Sequence, residues 1–177
     1  MKLKPLLILA GAAVLMAACA TMPVGNPAVP QPAKAVELPK YLGKWYEIGR
    51  YNNRFEAGCE AVTAEYALRG DGMISVTNSC RKGAVDGPLE VARGKAKIAD
   101  AATNAKLKVS FFGPFYADYW VLDRADDYSW AIVGEPSGKY LWLLSRTPGP
   151  SDATRQAIEG RARDLGYDLG LLYRPRH

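Results

Sequence analysis

A chain of 177 residues with 49% apolar residues is long enough for one folded domain with a hydrophobic core and a leader in front of it. The net charge of +5 comes from basic residues that are scattered along the chain, a pattern that disfavours nucleic-acid binding. The single histidine is the last residue, His177, so histidine-dependent catalysis and zinc binding lack suitable residues. We therefore expect a protein that is not an enzyme and that holds no cofactor and no metal.

The first 18 residues have the organisation of a secretory signal peptide. Lys2 and Lys4 form a positive start, and the apolar run over 6–16 is too short to span a bilayer stably. Two alanines then precede Cys19, an ending that resembles the lipobox of bacterial lipoproteins, where the cysteine is acylated. We expect residues 1–18 to be removed and Cys19 to carry the lipid. The alternative is ordinary signal-peptide cleavage near the small residues.

Residues 19–38 are rich in proline and alanine and show no apolar period, so we expect a semi-extended tether that holds the domain off the membrane. Short alternating segments follow and predict antiparallel strands, with a hairpin turn at 69–72. The predicted strands lie within 41–56 and at 58–69, 73–80, 89–99, 106–111, 115–122, 128–134 and 139–146.

After the eighth strand the pattern changes to that of a helix, which begins at Ser151 or Asp152 and ends near Leu165 before Gly166. This order of elements predicts an all-β fold over residues 39–177. It is an eight-stranded antiparallel up-and-down β-barrel with one C-terminal α-helix. A barrel of eight strands has room for side chains or for one small ligand.

Cys59 and Cys80 remain once Cys19 is assigned to the lipid, and an even pair in an oxidising compartment predicts a disulfide. The hairpin register places position 59 opposite 82 and position 61 opposite 80, so a bulge or a shifted turn is needed. By strand parity both cysteine side chains are expected on the outward face.

Three short regions resemble the markers of the lipocalin family, and they occur in the family's order. Gly43-Lys44-Trp45 matches the first marker, and Arg146 matches the third, at the end of the eighth strand. Asp126-Asp127-Tyr128 stands where the family usually has Thr-Asp-Tyr. The stretches 43–48, 108–115 and 144–148 look like those of the bacterial outer-membrane lipoprotein lipocalin subgroup.

This resemblance implies a barrel that binds a lipid or another small hydrophobe, anchored to the outer membrane with its domain facing the periplasm. Ala20, rather than aspartate, follows Cys19, which is compatible with export to that membrane by resemblance to enterobacterial lipoproteins. The motif residues are expected to be structural, with Arg146 stacked on Trp45 to close the barrel floor. They are Gly43, Trp45, Asp127, Tyr128 and Arg146.

Strand parity also predicts which side chains face the barrel interior. The set is mostly apolar with a few hydroxyl groups, and Arg146 at the floor is its only expected charge, which suits an acyl chain with its head group near the mouth. The expected ligand is a lysophospholipid or a fatty acid. The predicted lining consists of Ala64, Tyr66, Ser75, Thr77, Val109, Phe111, Tyr119, Tyr140, Trp142 and Leu144.

Two alternatives to a lipid carrier follow from the same residues. The inward side chains could fill the barrel completely, in which case the domain would be an envelope-structural or protein-interaction module with no carried ligand. A free thiol at Cys59 could instead support isomerase chemistry.

Overall fold

The computed structural model describes residues 23–177, so the predicted signal peptide over 1–18 and the predicted acylation site Cys19 lie outside the described residues. Nine strands form one sheet in which neighbouring strands pair antiparallel, and the first eight close into a barrel. The strands are β1 (Gly43–Tyr51), β2 (Cys59–Leu68), β3 (Ile74–Lys82), β4 (Leu89–Ile98), β5 (Lys106–Phe112), β6 (Phe115–Arg124), β7 (Trp130–Gly134), β8 (Leu141–Ser145) and β9 (Leu172–Tyr173). The prediction of an eight-stranded barrel is confirmed.

β1 closes the barrel because its two edges pair with different strands. One edge pairs with β2 over Gly43–Tyr46, and the other edge pairs with β8 over Tyr46–Arg50. Towards its C-terminal end, Arg50 and Tyr51 pair with β9 instead of β2. The C-terminal segment of the chain therefore occupies the place beside β1 that β2 leaves.

Two helices accompany the barrel, α1 (Leu38–Tyr41) before β1 and α2 (Asp152–Asp164) after β8. Ser151 caps α2, because its side chain accepts a hydrogen bond from the backbone N–H of Thr154. The buried residues Ile158 and Ala162 pack with Ile132 on the outside of the barrel, which confirms the predicted C-terminal helix. Among residues 23–177, no helix is both long and apolar enough to cross a membrane.

Alternation along β7 shows how the two apolar clusters of the molecule are separated. Ala131 and Val133 belong to the cluster inside the barrel, whereas Ile132 lies between the barrel wall and α2. A strand that is covered on both faces has an almost continuous apolar sequence. Its inward residues could therefore not be chosen from polarity.

The connections between strands alternate between the two ends of the barrel, as an up-and-down order requires. One end is covered by α1, and we call it the closed end; the opposite one is the open end. The connections at the closed end are 69–73, 99–105 and 125–129, and those at the open end are 52–58, 83–88, 113–114 and 135–140.

Residues 25–36 run along the outside of the barrel from the open end to the closed end. The N–H of Gly25 donates to the carbonyl of Gly138 (3.0 Å), and that of Ala33 donates to the carbonyl of Leu122 (2.8 Å). Val36 is buried in the interior cluster. The expected tether over 19–38 therefore does not extend through these residues, because their backbone donors find partners on the folded domain.

Over Thr63–Leu68 the β2–β3 hairpin has a register one residue away from the predicted one, whereas Cys59 pairs with Lys82 as predicted. Tyr66 pairs with Val76, which places Ser75 and Thr77 on the outer face, opposite Ala67 and Glu65. The prediction that Ser75 and Thr77 line the interior is wrong. The turn takes in one more residue than expected, with the N–H of Arg69 donating to the carbonyl of Met73 and the N–H of Met73 donating to Asp71.

The predicted disulfide between Cys59 and Cys80 is confirmed, with the two Cα atoms 5.4 Å apart. Cys59 pairs across the strands with Lys82, and a bulge between Glu60 and Thr63 brings the sulfurs together. Both cysteines are buried, and Cys80 shares the parity of the interior residue Val76 in a regularly paired strand. The expectation of an outward disulfide is wrong, since the bulge and the shifted register reverse the parity.

Candidate ligand-binding site

The floor of the barrel is an arginine stacked on a tryptophan. The guanidinium carbon of Arg146 lies 3.7 Å from the ring centroid of Trp45. Arg146 also donates from Nη1 to the carbonyl of Lys44 (2.8 Å) and from Nη2 to the carbonyl of Lys40 (2.6 Å). The indole Nε1 of Trp45 donates to the carbonyl of Tyr41 (2.8 Å). One side chain therefore joins the end of β8 to α1 and to the start of β1.

The other motif residues support this floor. Gly43 has φ of +89°, which favours glycine, and it lies beside the Arg146 guanidinium. The Tyr128 hydroxyl accepts a hydrogen bond from the N–H of Glu37 (2.8 Å), which fastens the N-terminal segment under the barrel. Asp127 is exposed, and its carboxylate accepts from the N–H of Ser129 (2.9 Å), so it shapes the β6–β7 turn. None of these contacts requires a ligand.

The interior next to the floor is filled by tyrosines. The Tyr119 hydroxyl is hydrogen-bonded to the hydroxyl of Tyr41 (2.7 Å) and to that of Tyr66 (2.9 Å). Burial raises the pKa of Tyr66 to about 12, so the ring stays neutral at physiological pH. Leu144 packs in the same cluster. Of the predicted lining residues, Tyr66, Tyr119 and Leu144 thus form the bottom of any cavity.

The interior towards the open end is not filled. Ala117 shares the inward parity of Tyr119 across a regular part of the β5–β6 pairing, yet it is exposed. Ala92 shares the inward parity of Ala96 on β4, and it too is exposed. Inward residues that remain exposed mean that solvent reaches the inside of the barrel here. We call this space the lumen.

The remaining predicted lining residues surround the lumen. Tyr140 stacks on Trp142 with ring centroids 5.7 Å apart. The ring of Phe111 lies against the backbone of Gly94, which has no side chain in the way, and Phe111 is 36% exposed. The predicted residues that are partly buried against the interior cluster are Ala64, Val109 and Trp142.

A buried ion pair projects into the barrel from β1, between the floor and the mouth. The Nη1 of Arg50 donates to Glu47 (2.7 Å), and both side chains are almost fully buried. Arg50 pairs across the sheet with Trp142 and Glu47 pairs with Leu144, two inward residues. The expectation that Arg146 is the only charge inside is therefore wrong. A bulge between Glu47 and Gly49 turns two residues at odd spacing to the same face.

A second carboxyl group completes this polar cluster. The Nη2 of Arg50 donates to the backbone carbonyls of Glu56 (3.0 Å) and Cys59 (3.1 Å). The indole Nε1 of Trp142 donates to the side chain of Glu56 (3.1 Å). The pKa of Glu47 is raised well above its usual value, because burial disfavours its charge and the Glu56 carboxylate lies nearby; Arg50 opposes the shift.

Sequence reasoning missed several residues of the lumen, and some could have been found. Ala117 lies two residues before Tyr119, so the same alternation would have selected it. Glu47 lies two residues after Trp45 and shares its inward face. Ala92 and Gly94 required the register of β4, and Arg50 required the bulge in β1. Counting alternate residues along a strand identifies the inward face correctly only where no extra residue is inserted.

Comparisons with known proteins agree with this geometry. A family model described as a lipocalin-like domain matches residues 36–177. The outer membrane lipoprotein Blc of Escherichia coli strain K12 is 43% identical over 174 residues, which cover 96% of this chain and 94% of that protein. The Vibrio cholerae protein of the same name is 44% identical over 153 residues, covering 84% and 87%. The structure of insecticyanin from the tobacco hornworm Manduca sexta has a TM-score of 0.65 at 23% identity, covering 89% and 86%, a likeness of fold.

Replacement of the floor arginine tests its structural role. We expect Arg146→Ala to lower the free energy of unfolding by on the order of 3 kcal/mol, because the stack and the charged hydrogen bonds are lost together. Urea denaturation measures this loss. Arg163→Ala, at an exposed position on α2, is the control and should change stability little. An Arg146→Ala protein as stable as the wild type would contradict the role.

The buried carboxyl group predicts a pH dependence of stability. The folded-state pKa of Glu47 lies above the usual 4.5, so its contribution to stability is complete below pH 4.5 and is lost as pH rises through the raised value. Glutamine mimics the protonated carboxyl group. The stability of Glu47→Gln relative to the wild type should therefore increase with pH, as measured by urea denaturation up to about pH 8. Glu65→Gln, on the exposed outer face of β2, should show no such trend; a flat difference for Glu47→Gln would contradict the assignment.

Proposed function

Because this chain belongs to the lipocalin family, we propose that its barrel binds one small hydrophobic ligand in the lumen. Members of this family are typically binding and transport proteins. The observation that carries the proposal is the exposure of inward-facing Ala92 and Ala117 above a packed layer of tyrosines. A barrel with a closed floor and an accessible upper half has a cavity that opens at one end, and its walls are largely apolar.

We propose a single-chain lipid, a fatty acid or a lysophospholipid, as the occupant. The bulky side chain of Trp142, which packs against the interior cluster, takes up part of the lumen and favours one acyl chain over two. Burial of a long chain contributes about 25 cal/mol per Å² of apolar surface, and part of this offsets the loss of freedom on association.

Two buried polar atoms favour an amphiphile over a plain hydrocarbon. Within residues 23–177, the Nε of Arg50 and the Oδ1 of Asn78 are buried without a hydrogen-bond partner. Asn78 pairs with Ala64 and Ala92, so it lies on the inward face. An unpaired buried polar group costs about 1–3 kcal/mol. A ligand phosphate or carboxylate would accept a hydrogen bond from the Nε–H of Arg50, and a ligand hydroxyl would donate one to the Oδ1 of Asn78. The head group would then lie in the upper part of the lumen or at the mouth.

We further propose that the mature protein is anchored by a lipid on Cys19 to the outer membrane, with its barrel in the periplasm. The relatives from Escherichia coli and Vibrio cholerae are named outer membrane lipoproteins. The small residues before Cys19 support the same reading from the sequence. An acyl anchor of two or more chains holds a protein stably at a bilayer.

Replacement of two alanines by phenylalanine, one inside the barrel and one outside it, tests the lumen. We expect Ala117→Phe to abolish saturable binding of a fluorescent fatty acid or lysophospholipid, because the new ring fills the space. Ala67→Phe introduces the same ring on the outer face of β2 and should leave the affinity unchanged. Both variants are compared by fluorescence titration after delipidation, with melting temperatures to confirm folding. Equal binding by the two variants, or none by the wild type, would contradict the proposal; the latter would favour an interaction module without ligand.

The anchor is tested in the bacterial envelope. Labelled palmitate should be incorporated into the wild-type protein and lost in Cys19→Ser, and globomycin should block processing of the wild type. Cys59 and Cys80 form the disulfide, so they do not compete for the label. Unlabelled wild-type protein that is released with the soluble periplasmic fraction would contradict the anchor.

A further inference from the structure

The open end of the barrel carries a group of exposed apolar side chains that no strand or helix of residues 23–177 covers. We call this group the rim cluster. Phe112 is 82% exposed and Phe115 is 78% exposed, and they flank the tight connection between β5 and β6. Phe55 (58%) lies in the connection from β1 to β2, and Leu89 (55%) follows the connection from β3 to β4. Large apolar side chains concentrated at one end of a molecule mark an interaction surface.

The N-terminal segment leaves the barrel at this same end. The N–H groups of Gly25 and Asn26 donate to the carbonyl of Gly138 (3.0 and 3.2 Å), in the open-end connection between β7 and β8. A side chain on Gly25 would lie 2.2 Å from the ring of Tyr51, so only glycine allows this approach. The exit point is therefore fixed beside the mouth.

The distance from this exit to the proposed anchor is short. Gly25 lies six positions after Cys19, and a fully extended chain over six positions spans at most about 22 Å. A tilted strand of ten residues such as β6 makes the barrel about 25 Å tall. The open end therefore lies within reach of the bilayer, whereas a barrel with its closed end on the membrane would place the exit too far away.

We propose that the rim cluster docks on the bilayer that holds the Cys19 anchor, so that the mouth of the lumen faces the lipid; this inference rests on the anchor proposed above. Phenylalanine and leucine side chains on the apolar face of a membrane-bound protein bury at the boundary between head groups and acyl chains. The exposed Arg54 and Arg93 lie near this end and suit the lipid phosphates. A single-chain lipid would then pass between bilayer and lumen without crossing bulk water, so the membrane itself is the source or acceptor of the ligand.

A tryptophan placed in the rim cluster reports the docking directly. Phe112→Trp is introduced into the full, acylated protein, which is reconstituted in phosphatidylcholine vesicles with brominated acyl chains. We expect loss of most of the added emission relative to the wild type, whose natural tryptophans give the background. Leu68→Trp is the matched control, because Leu68 is 64% exposed at the closed end, and its added emission should be retained. Phe115→Trp is a second reporter in case Phe112→Trp fails to fold.

A transfer measurement separates docking from ligand affinity. The double variant Phe112→Ser, Phe115→Ser should load a fluorescent lysophospholipid from vesicles several-fold more slowly, while its affinity for the same lipid free in solution stays unchanged. Acylated protein with unquenched tryptophans at both rim positions, or with equal quenching at position 68, would overturn the docking and leave the anchor standing. Protein that lacks palmitate at Cys19 would overturn the anchor and the docking together, whatever its lipid affinity.

Discussion

The stack of Arg146 on Trp45 is the contact on which the rest of the structure depends. The guanidinium donates hydrogen bonds to backbone carbonyls of α1, of the residue after it and of the start of β1, so the last barrel strand is fastened to the first. Arginine suits this position because its planar fork donates several hydrogen bonds while its face stacks on an aromatic ring. With the floor fixed, the barrel becomes a cup with one mouth. A ligand can therefore enter the barrel only from the opposite end.

The inside of this cup changes from packed to accessible between the floor and the mouth. The tyrosine layer near the floor is buried and its hydroxyls satisfy one another, which stabilises the lower half. Towards the mouth, the small residues Ala92, Gly94 and Ala117 fill little of the barrel interior. A ligand would supply the apolar contacts that these small residues leave unmade, so the stability of the upper half is expected to depend on occupancy.

The sequence predicts the parts of this design that depend on local chemistry. The contact that closes the floor could be predicted from Trp45 and Arg146. The disulfide could be predicted because only two cysteines remain to pair. Lumen residues depend on counting along strands, where one inserted residue reverses every later side chain. The extra turn residue at Met73 moved Ser75 and Thr77 outward, and the bulge in β1 brought Arg50 inward. Neither irregularity can be recognised from the pattern of polar and apolar residues. For the turn, the reason is that Asp71 and Gly72 suit turns of both lengths.

The C-terminal segment explains how a buried ion pair is tolerated beside the lumen. β9 replaces β2 at the upper part of β1, and the ring of Tyr173 lies 4.6 Å from the Arg50 guanidinium. His177 is hydrogen-bonded to the backbone carbonyl of Glu47 (2.8 Å). A charge pair away from water is stable only when further contacts hold it, and removal of one partner costs about 3–5 kcal/mol. The last residues of the chain thus fix the two charges that flank the ligand space. The only histidine has a structural place in the barrel wall, at the point where β1 changes its partner from β2 to β9.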